Sequence, residues 1–319
     1  MACRAAVACG PNRSTVLLPR AGSASSAGRE RESKSVLAFR RHRRFALPLI
    51  AALAAVTPFG ALAQGKLEAS YTLTLAGIPI GKGDWSIDLS GSHYTAAATG
   101  TASGLMRMFT SGHGVSSASG TLTDGQPLPT SSYASSIVAG KKADSVRLTI
   151  NEGTVKDWKV DPPQDDDAER VPITEAHQQG ILDPMSASLL RTSGTGEPLS
   201  PEACQRTLPI FDGRIRYDLQ LAFKRLEQVK ADKGYAGPAV VCAVYFIPIA
   251  GFIPSRTAIR YITKSRDIEV WLAPIAGTRV LVPFRAQGPT PVGQVVFAAD
   301  KFVSVGMPTR ASVNGAKVQ

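Results

Sequence analysis

The side chains able to do chemistry in this sequence are few and scattered. Three carboxylates, Asp183, Asp212 and Asp218, sit in ordered-looking surroundings. A pair of them facing each other across a cleft would suit acid–base hydrolysis, but their spacing in sequence does not bring them together. No Gly-x-Ser-x-Gly nucleophile turn occurs, nor any Gly-rich phosphate loop. His93 and His113 sit among Gly and Ser, which reads as turns. His177 lies in the polar stretch Glu175–Gln179 and reads as a solvated side chain. Three such histidines at no ligand-like spacing make no metal site. Asp165, Asp166 and Asp167 offer oxygen ligands but lack the glycine and terminal glutamate of a calcium loop, so they read as a solvated acidic loop. No cofactor is expected. The most suggestive group is Asp212, Arg214 and Arg216. On a hairpin the two arginines would share a face and could present guanidinium forks to an anion or a partner. The competing reading is a solvent-facing strand whose charges discourage edge pairing.

Charge excludes one large class of function. The 319 residues hold 36 Lys and Arg against 25 Asp and Glu, a formal +11. Residues 1–63 carry most of that surplus, ten basic against two acidic. The rest of the chain is nearly neutral and is no nucleic-acid clamp.

The basic leader reads as a secretion signal. Arg40, Arg41, Arg43 and Arg44 form a positive region, and Ala46–Val56 is an apolar run of eleven residues. As a helix that run reaches about 16 Å, roughly half of a hydrocarbon core, so it is too short to span. Ala61-Leu62-Ala63 is a small-x-small cleavage site, placing the cut between Ala63 and Gln64. Residues 36–63 are thus a signal peptide and 1–35 a disordered extension or overlong gene model. The mature chain is expected to be exported to the periplasm, with no transmembrane helix. Cys204 and Cys242 are the cysteines beyond the leader. An even count in an exported chain predicts a disulfide, with two buried free thiols as the alternative.

The elements that must position these groups are strands. Leu67, Ala69, Tyr71 and Leu73 alternate with Glu68, Ser70, Thr72 and Thr74, and Trp85, Ile87 and Leu89 with polar neighbours. Similar alternation runs over Val146–Ile150, Ile215–Leu221, Ala258–Thr263 and Ile268–Leu272. Asp212-Gly213 predicts a tight type I′ hairpin, with Asp124-Gly125 a weaker signal. Pro79, Pro248, Pro254 and Pro283 interrupt strand-like stretches and predict edges, bulges or breaks. Asp183 followed by Pro184 predicts a helix over 183–191, and Ser200-Pro201-Glu202 a shorter turn. The expected fold is mostly β: an antiparallel, open or partial barrel-like sheet with one or two short helices. It forms a single domain over 64–307, with a subdivision conceivable near 175–205 and a disordered tail from 308.

Five segments together resemble an exported bacterial family known as domain of unknown function 3108. They are YTLTLAGIPIGKG at Tyr71–Gly83, ILDPMSASLL at Ile181–Leu190, CQRTLPIFDGRIRYDL at Cys204–Leu219, YAGPAVVCAV at Tyr235–Val244 and LVPFRAQGPTPVG at Leu281–Gly293. The resemblance covers roughly residues 67–303. It implies an envelope protein built of antiparallel β-structure and lends no catalytic residues. Cys204 and Cys242 fall where paired cysteines are typical of such sequences.

Two-faced strands and sparse chemistry point to a non-enzymatic binding protein for an apolar or lipid-like ligand or an envelope partner. The rivals are an outer-membrane barrel and an envelope hydrolase using carboxylates such as Asp183, Asp212 or Asp218.

Overall fold

The computed structural model describes residues 64–104, 112–123, 128–194 and 196–306. The expected extension, the expected signal peptide up to Ala63, the expected tail from 308 and the expected Asp124-Gly125 turn lie outside the described residues. Gln64 lies inside.

Seven strands meander in sequence order: β1 (Gly65–Leu75), β2 (Ile78–Ser90), β3 (His93–Ala102), β4 (His113–Thr121), β5 (Thr130–Ala139), β6 (Lys142–Asn151) and β7 (Thr154–Asp161). After a long connection come β8 (Leu190–Arg191), β9 (Arg206–Phe211), β10 (Arg216–Lys230), β11 (Lys233–Gly234) and β12 (Ala236–Ala250). A helix, α1 (Thr257–Lys264), precedes β13 (Glu269–Pro274), β14 (Val280–Thr290) and β15 (Gly293–Gly306). One sheet runs β7-β6-β5-β4-β3-β2-β1-β15-β14-β13-β12-β10-β9, with β8 beside β14 and β11 beside β15. The strands nearest the two ends of the described chain, β1 and β15, pair antiparallel in its middle.

Alternation explains the meander. Leu67, Ala69 and Tyr71 are buried, while Lys66 and Glu68 point outward. The outward row is laced by ion pairs between neighbouring strands, Lys66–Asp88 at 3.4 Å and Lys301–Glu68 at 2.9 Å. The second half departs from this pattern. Ala239–Val244 is buried at every position, because both faces of β12 are covered. Val241, Trp271 and Val282 join the main core with Tyr71, Ile87 and Leu148. Val240, Leu272 and Leu281 join a second core with Leu182, Ala203 and Leu208.

The sheet is not closed by a ladder, since β7 and β9 are its two ends. Their neighbourhoods nevertheless meet. Trp158 of β7 sets its ring edge-on to Phe211 of β9, with centroids 6.2 Å apart. Arg214 reaches Asp144 of β6 at 2.8 Å. The connecting segment stitches both sides: Ile181 N–H donates to the Gly153 carbonyl, Leu182 N–H to Pro209, and Phe211 N–H to Leu182. The result is a partial barrel sealed by side chains and a strap.

Gly213 sits on this seam. Its φ is +91°, and a Cβ there would stand 2.5 Å from Val146 Cγ1. Gly213→Ala is expected to cost about 1–3 kcal/mol in thermal unfolding. An unchanged melting temperature would show that the two edges do not touch in solution.

Three expectations are corrected. The stretch 183–191 is no continuous helix; it makes a three-residue 3-10 turn, Ser186–Ser188, and enters β8. Leu189 and Leu190 are needed in different cores, and an extended backbone sends successive side chains to opposite faces, which a helix does not. Residues 258–263 are not a strand but lie in α1. Ala258, Tyr261 and Ile262 recur at helical spacing, which alternation over so short a run disguised. Asp212-Gly213 does not form a two-residue turn: residues 212–215 all lie between β9 and β10, and Asp212 keeps negative φ. Asp212 Oδ1 instead accepts the Arg214 and Ile215 amides at 2.8 and 2.7 Å. The irregularities expected at the prolines are present: Pro79, Pro248 and Pro283 lie in interior strands, each beside a register shift. The expected turn at Ser200–Glu202 is present as Pro201–Cys204.

Candidate functional site

The predicted anion fork does not converge. Arg214 is a turn residue; its Nη2 donates to Asp144 and to the Pro162 carbonyl. Arg216 opens β10 and pairs with Asp218 at 2.5 Å. Both guanidinium groups therefore already hold carboxylates. Asp212 is committed to backbone amides, and burial raises its pKa.

Asp183 is fully buried. Its Oδ1 caps the 3-10 turn, accepting the Met185 and Ser186 amides at 2.9 and 3.1 Å, and its Oδ2 accepts Thr130 Oγ1–H at 2.8 Å. Tyr94 donates to Ser186 Oγ at 2.7 Å beside it. Burial raises the Asp183 carboxyl above the usual carboxylate range and pushes the Tyr94 phenol up to about 12. This network lashes the 183–188 strap to β3 and β5. A carboxylate so enclosed is placed to hold structure, not to meet substrate.

Glu269 of β13, 8% exposed, was missed in the sequence. Burial works to raise its pKa, but hydrogen bonds from Arg225 and Lys224 outweigh that and hold it below the usual range. Arg225 and Arg285 lie over the Trp271 ring, 5.4 and 4.8 Å from its centroid. This cluster too is internally satisfied.

His93 Nδ1 contacts Ser92 Oγ, and His177 Nδ1 accepts the Thr174 amide; His93 is exposed and His177 half-buried. Asp167 accepts the Glu169 amide. Among the described residues no group of three or more His, Cys, Asp or Glu is placed to hold a metal. Cys204 and Cys242 form a disulfide within the second core.

What remains is apolar space. A cavity of about 700 Å³ lies between α1 and the β1-β15-β14 sheet. Leu73, Val295 and Phe297 make its sheet wall, Ile268 one end, and Ala258, Tyr261 and Ile262 its helical cover. No residue of α1 is buried, so its apolar side faces the cavity instead of packing into core. Pro254 precedes the helix, and the Ser265 amide and hydroxyl cap its last carbonyls. Phe297 is shared with two neighbouring recesses of about 320 and 390 Å³, the first floored by Pro184, Met185 and Ser188. It stacks on Tyr71 at 4.2 Å, and Tyr71 is anchored through its hydroxyl to the Pro283 carbonyl. A further recess of about 570 Å³ along β3–β7 is lined largely by Ala and Ser and gathers no reactive cluster. The sequence offered one signal for the apolar site, the spacing of Thr257, Ala258, Tyr261 and Ile262. Its other walls come from β14 and β15, later in the chain, and from Leu73 of β1, near the start of the described chain.

The profile of a family described as protein of unknown function, DUF3108, matches residues 70–300. No curated protein is similar in sequence. A solved structure, a beta-barrel-like protein of domain of unknown function DUF1849 from Brucella abortus, is similar over 76% of this chain and 97% of its own, with 11% identity and a TM-score of 0.40.

Proposed function

The chain belongs to the DUF3108 family, whose function is unknown, and from that premise we propose that it is a non-catalytic envelope protein that binds an apolar, lipid-like ligand. The observation that carries this reading is the cavity of about 700 Å³ under α1, walled by Leu73, Phe297, Tyr261 and Ile262. Its size falls within the range of roughly 300–1,000 Å³ usual for small-molecule sites. The carboxylates a hydrolase would need are each engaged elsewhere: Asp183 and Asp212 by backbone amides, Asp218 by Arg216. The outward rows of β1 and β2 carry Lys66, Glu68, Asp84 and Asp88, which favours water over lipid outside the sheet. No helix among the described residues is long and apolar enough to cross a membrane. The leader pattern supports export, and N-terminal sequencing of the exported protein is expected to begin at Gln64.

The binding test is a homologous series of neutral alkanols titrated into the full chain against an apolar fluorophore. Affinity should rise about fourfold per added methylene, the effect of burying roughly 0.8 kcal/mol of apolar surface. Ala258→Trp, at an exposed helix position facing the cavity, should lower affinity about tenfold or more at unchanged melting temperature. Binding independent of chain length, or undiminished in Ala258→Trp, would refute the reading.

A further inference from the structure

The cover of the apolar cavity is strongly cationic. From Gly251 to Arg266 the chain holds Arg256, Arg260, Lys264 and Arg266 and no acid; Asp267 follows. Arg266 is committed, lying over the Tyr245 ring and donating to the Thr263 and Ser265 carbonyls. The other three recur every fourth residue: Arg260 and Lys264 share one side of α1, and Arg256 is the extended residue at its N-terminal cap, so the three form a stripe from the cap along the helix. All three are exposed. None has an ion-pair or side-chain hydrogen-bond partner among the described residues. Some strand cations are paired, as in Lys66–Asp88, Arg216–Asp218 and Lys224–Glu269, and others such as Lys82 and Lys156 stand alone on the sheet among the described residues; what sets the α1 cations apart is that they gather beside one apolar cavity. The stripe borders the helix face formed by Thr257, Ala258, Tyr261 and Ile262, which lines the cavity. One short helix thus puts unneutralised positive charge at the edge of an apolar chamber.

We infer that the ligand is a single-chain amphiphile with an anionic head: its tail lies between α1 and Phe297, and its phosphate or carboxylate sits on the Arg256–Arg260–Lys264 stripe. This deepens the binding reading above and rests on it. The occupant is an individual molecule and not a bilayer surface, because the apolar side of α1 is turned toward β14 and β15, whereas an interfacial helix turns that side to lipid. A neutral apolar ligand would leave the cations without a role. An anion without a tail would leave the chamber unfilled.

The test titrates the full chain with decyl phosphate, decanol and decyltrimethylammonium at monomeric concentrations. Decyl phosphate should bind about tenfold tighter than decanol at low salt, from three screened contacts. That advantage should shrink at roughly 0.5 M salt, and decyltrimethylammonium should bind no better than decanol. The triple variant Arg256→Gln, Arg260→Gln, Lys264→Gln should bring decyl phosphate down to the decanol level and hold decanol within about twofold of the parent. Decanol binding also reports that the variant is folded. Equal affinity of the parent for decanol and decyl phosphate would overturn the inference. So would equal loss of both ligands in the variant, or full displacement of decyl phosphate by inorganic phosphate. Sedimentation with vesicles of phosphatidylcholine and phosphatidylglycerol that leaves the cavity fluorophore in place would assign the stripe to a membrane surface instead. If decanol itself does not bind, the binding reading falls; if decanol binds and the phosphate adds nothing, this inference alone falls.

Discussion

Replacing both Cys204 and Cys242 by Ala is expected to lower the stability of the oxidised protein by about 4 kcal/mol. The bridge closes a span of 38 residues, and loop-closure entropy gives that magnitude for the denatured chain. The native site adds to the case. Cys204 ends the Pro201–Cys204 turn, Cys242 lies in the middle of β12, and both are fully buried in the second core. The bridge fastens a turn with little regular structure to a strand covered on both faces. Urea unfolding of the parent, the parent with reductant, and the double variant measures this. Reductant should move the parent midpoint to that of the double variant. A loss below about 1 kcal/mol would show that the bridge does not form in solution or constrains nothing.

Asp183→Ala is expected to cost about 3 kcal/mol. The change strands the Met185 and Ser186 amides and the Thr130 hydroxyl in a buried site, and each unpaired buried polar group costs roughly 1–3 kcal/mol before relaxation. The strap that stitches β6–β7 to β9 would loosen with it. The pH response carries a definite sign. Burial lifts the folded pKa of Asp183 above its unfolded value, so the folded state holds the proton longer. Stability attached to this group is fully present below the unfolded pKa and declines as pH rises through the folded one. Glu269 acts oppositely: its folded pKa is depressed, and its contribution is lost as pH falls. Asp183→Asn keeps a carbonyl acceptor for the amides and removes the proton, so it should flatten the alkaline-side decline while Glu269→Gln flattens the acid-side one. Identical pH–stability curves for Asp183→Asn and the parent would refute the assignment.

The strands were legible because alternation is a local property: whether Leu67, Ala69 and Tyr71 share a face follows from backbone pleat alone. The prolines marked irregularities correctly, but sequence could not say that Pro79 and Pro283 lie inside the sheet, because strand order is a long-range fact. The run Ala239–Val244 is apolar throughout, but nothing local reveals that it serves two cores. Asp183 was legible as a cap for the turn that follows. That the turn stops after Ser188 was not, since opposite demands on Leu189 and Leu190 arise only when two cores exist. In α1, eight residues fit two periods, and neighbouring β14 and β15 decide which face is wanted.

Composition and period by themselves determined a β-rich body, a basic N-terminal segment and sparse reactive groups, because each is a sum or a repeat over near neighbours. Tertiary structure alone decided which charges neutralise one another, as with Arg214 and Asp144, 70 residues apart. It alone built the chamber, whose walls at Leu73, Ile262 and Phe297 touch only once the β1–β15 ladder has drawn the first described strand beside the last.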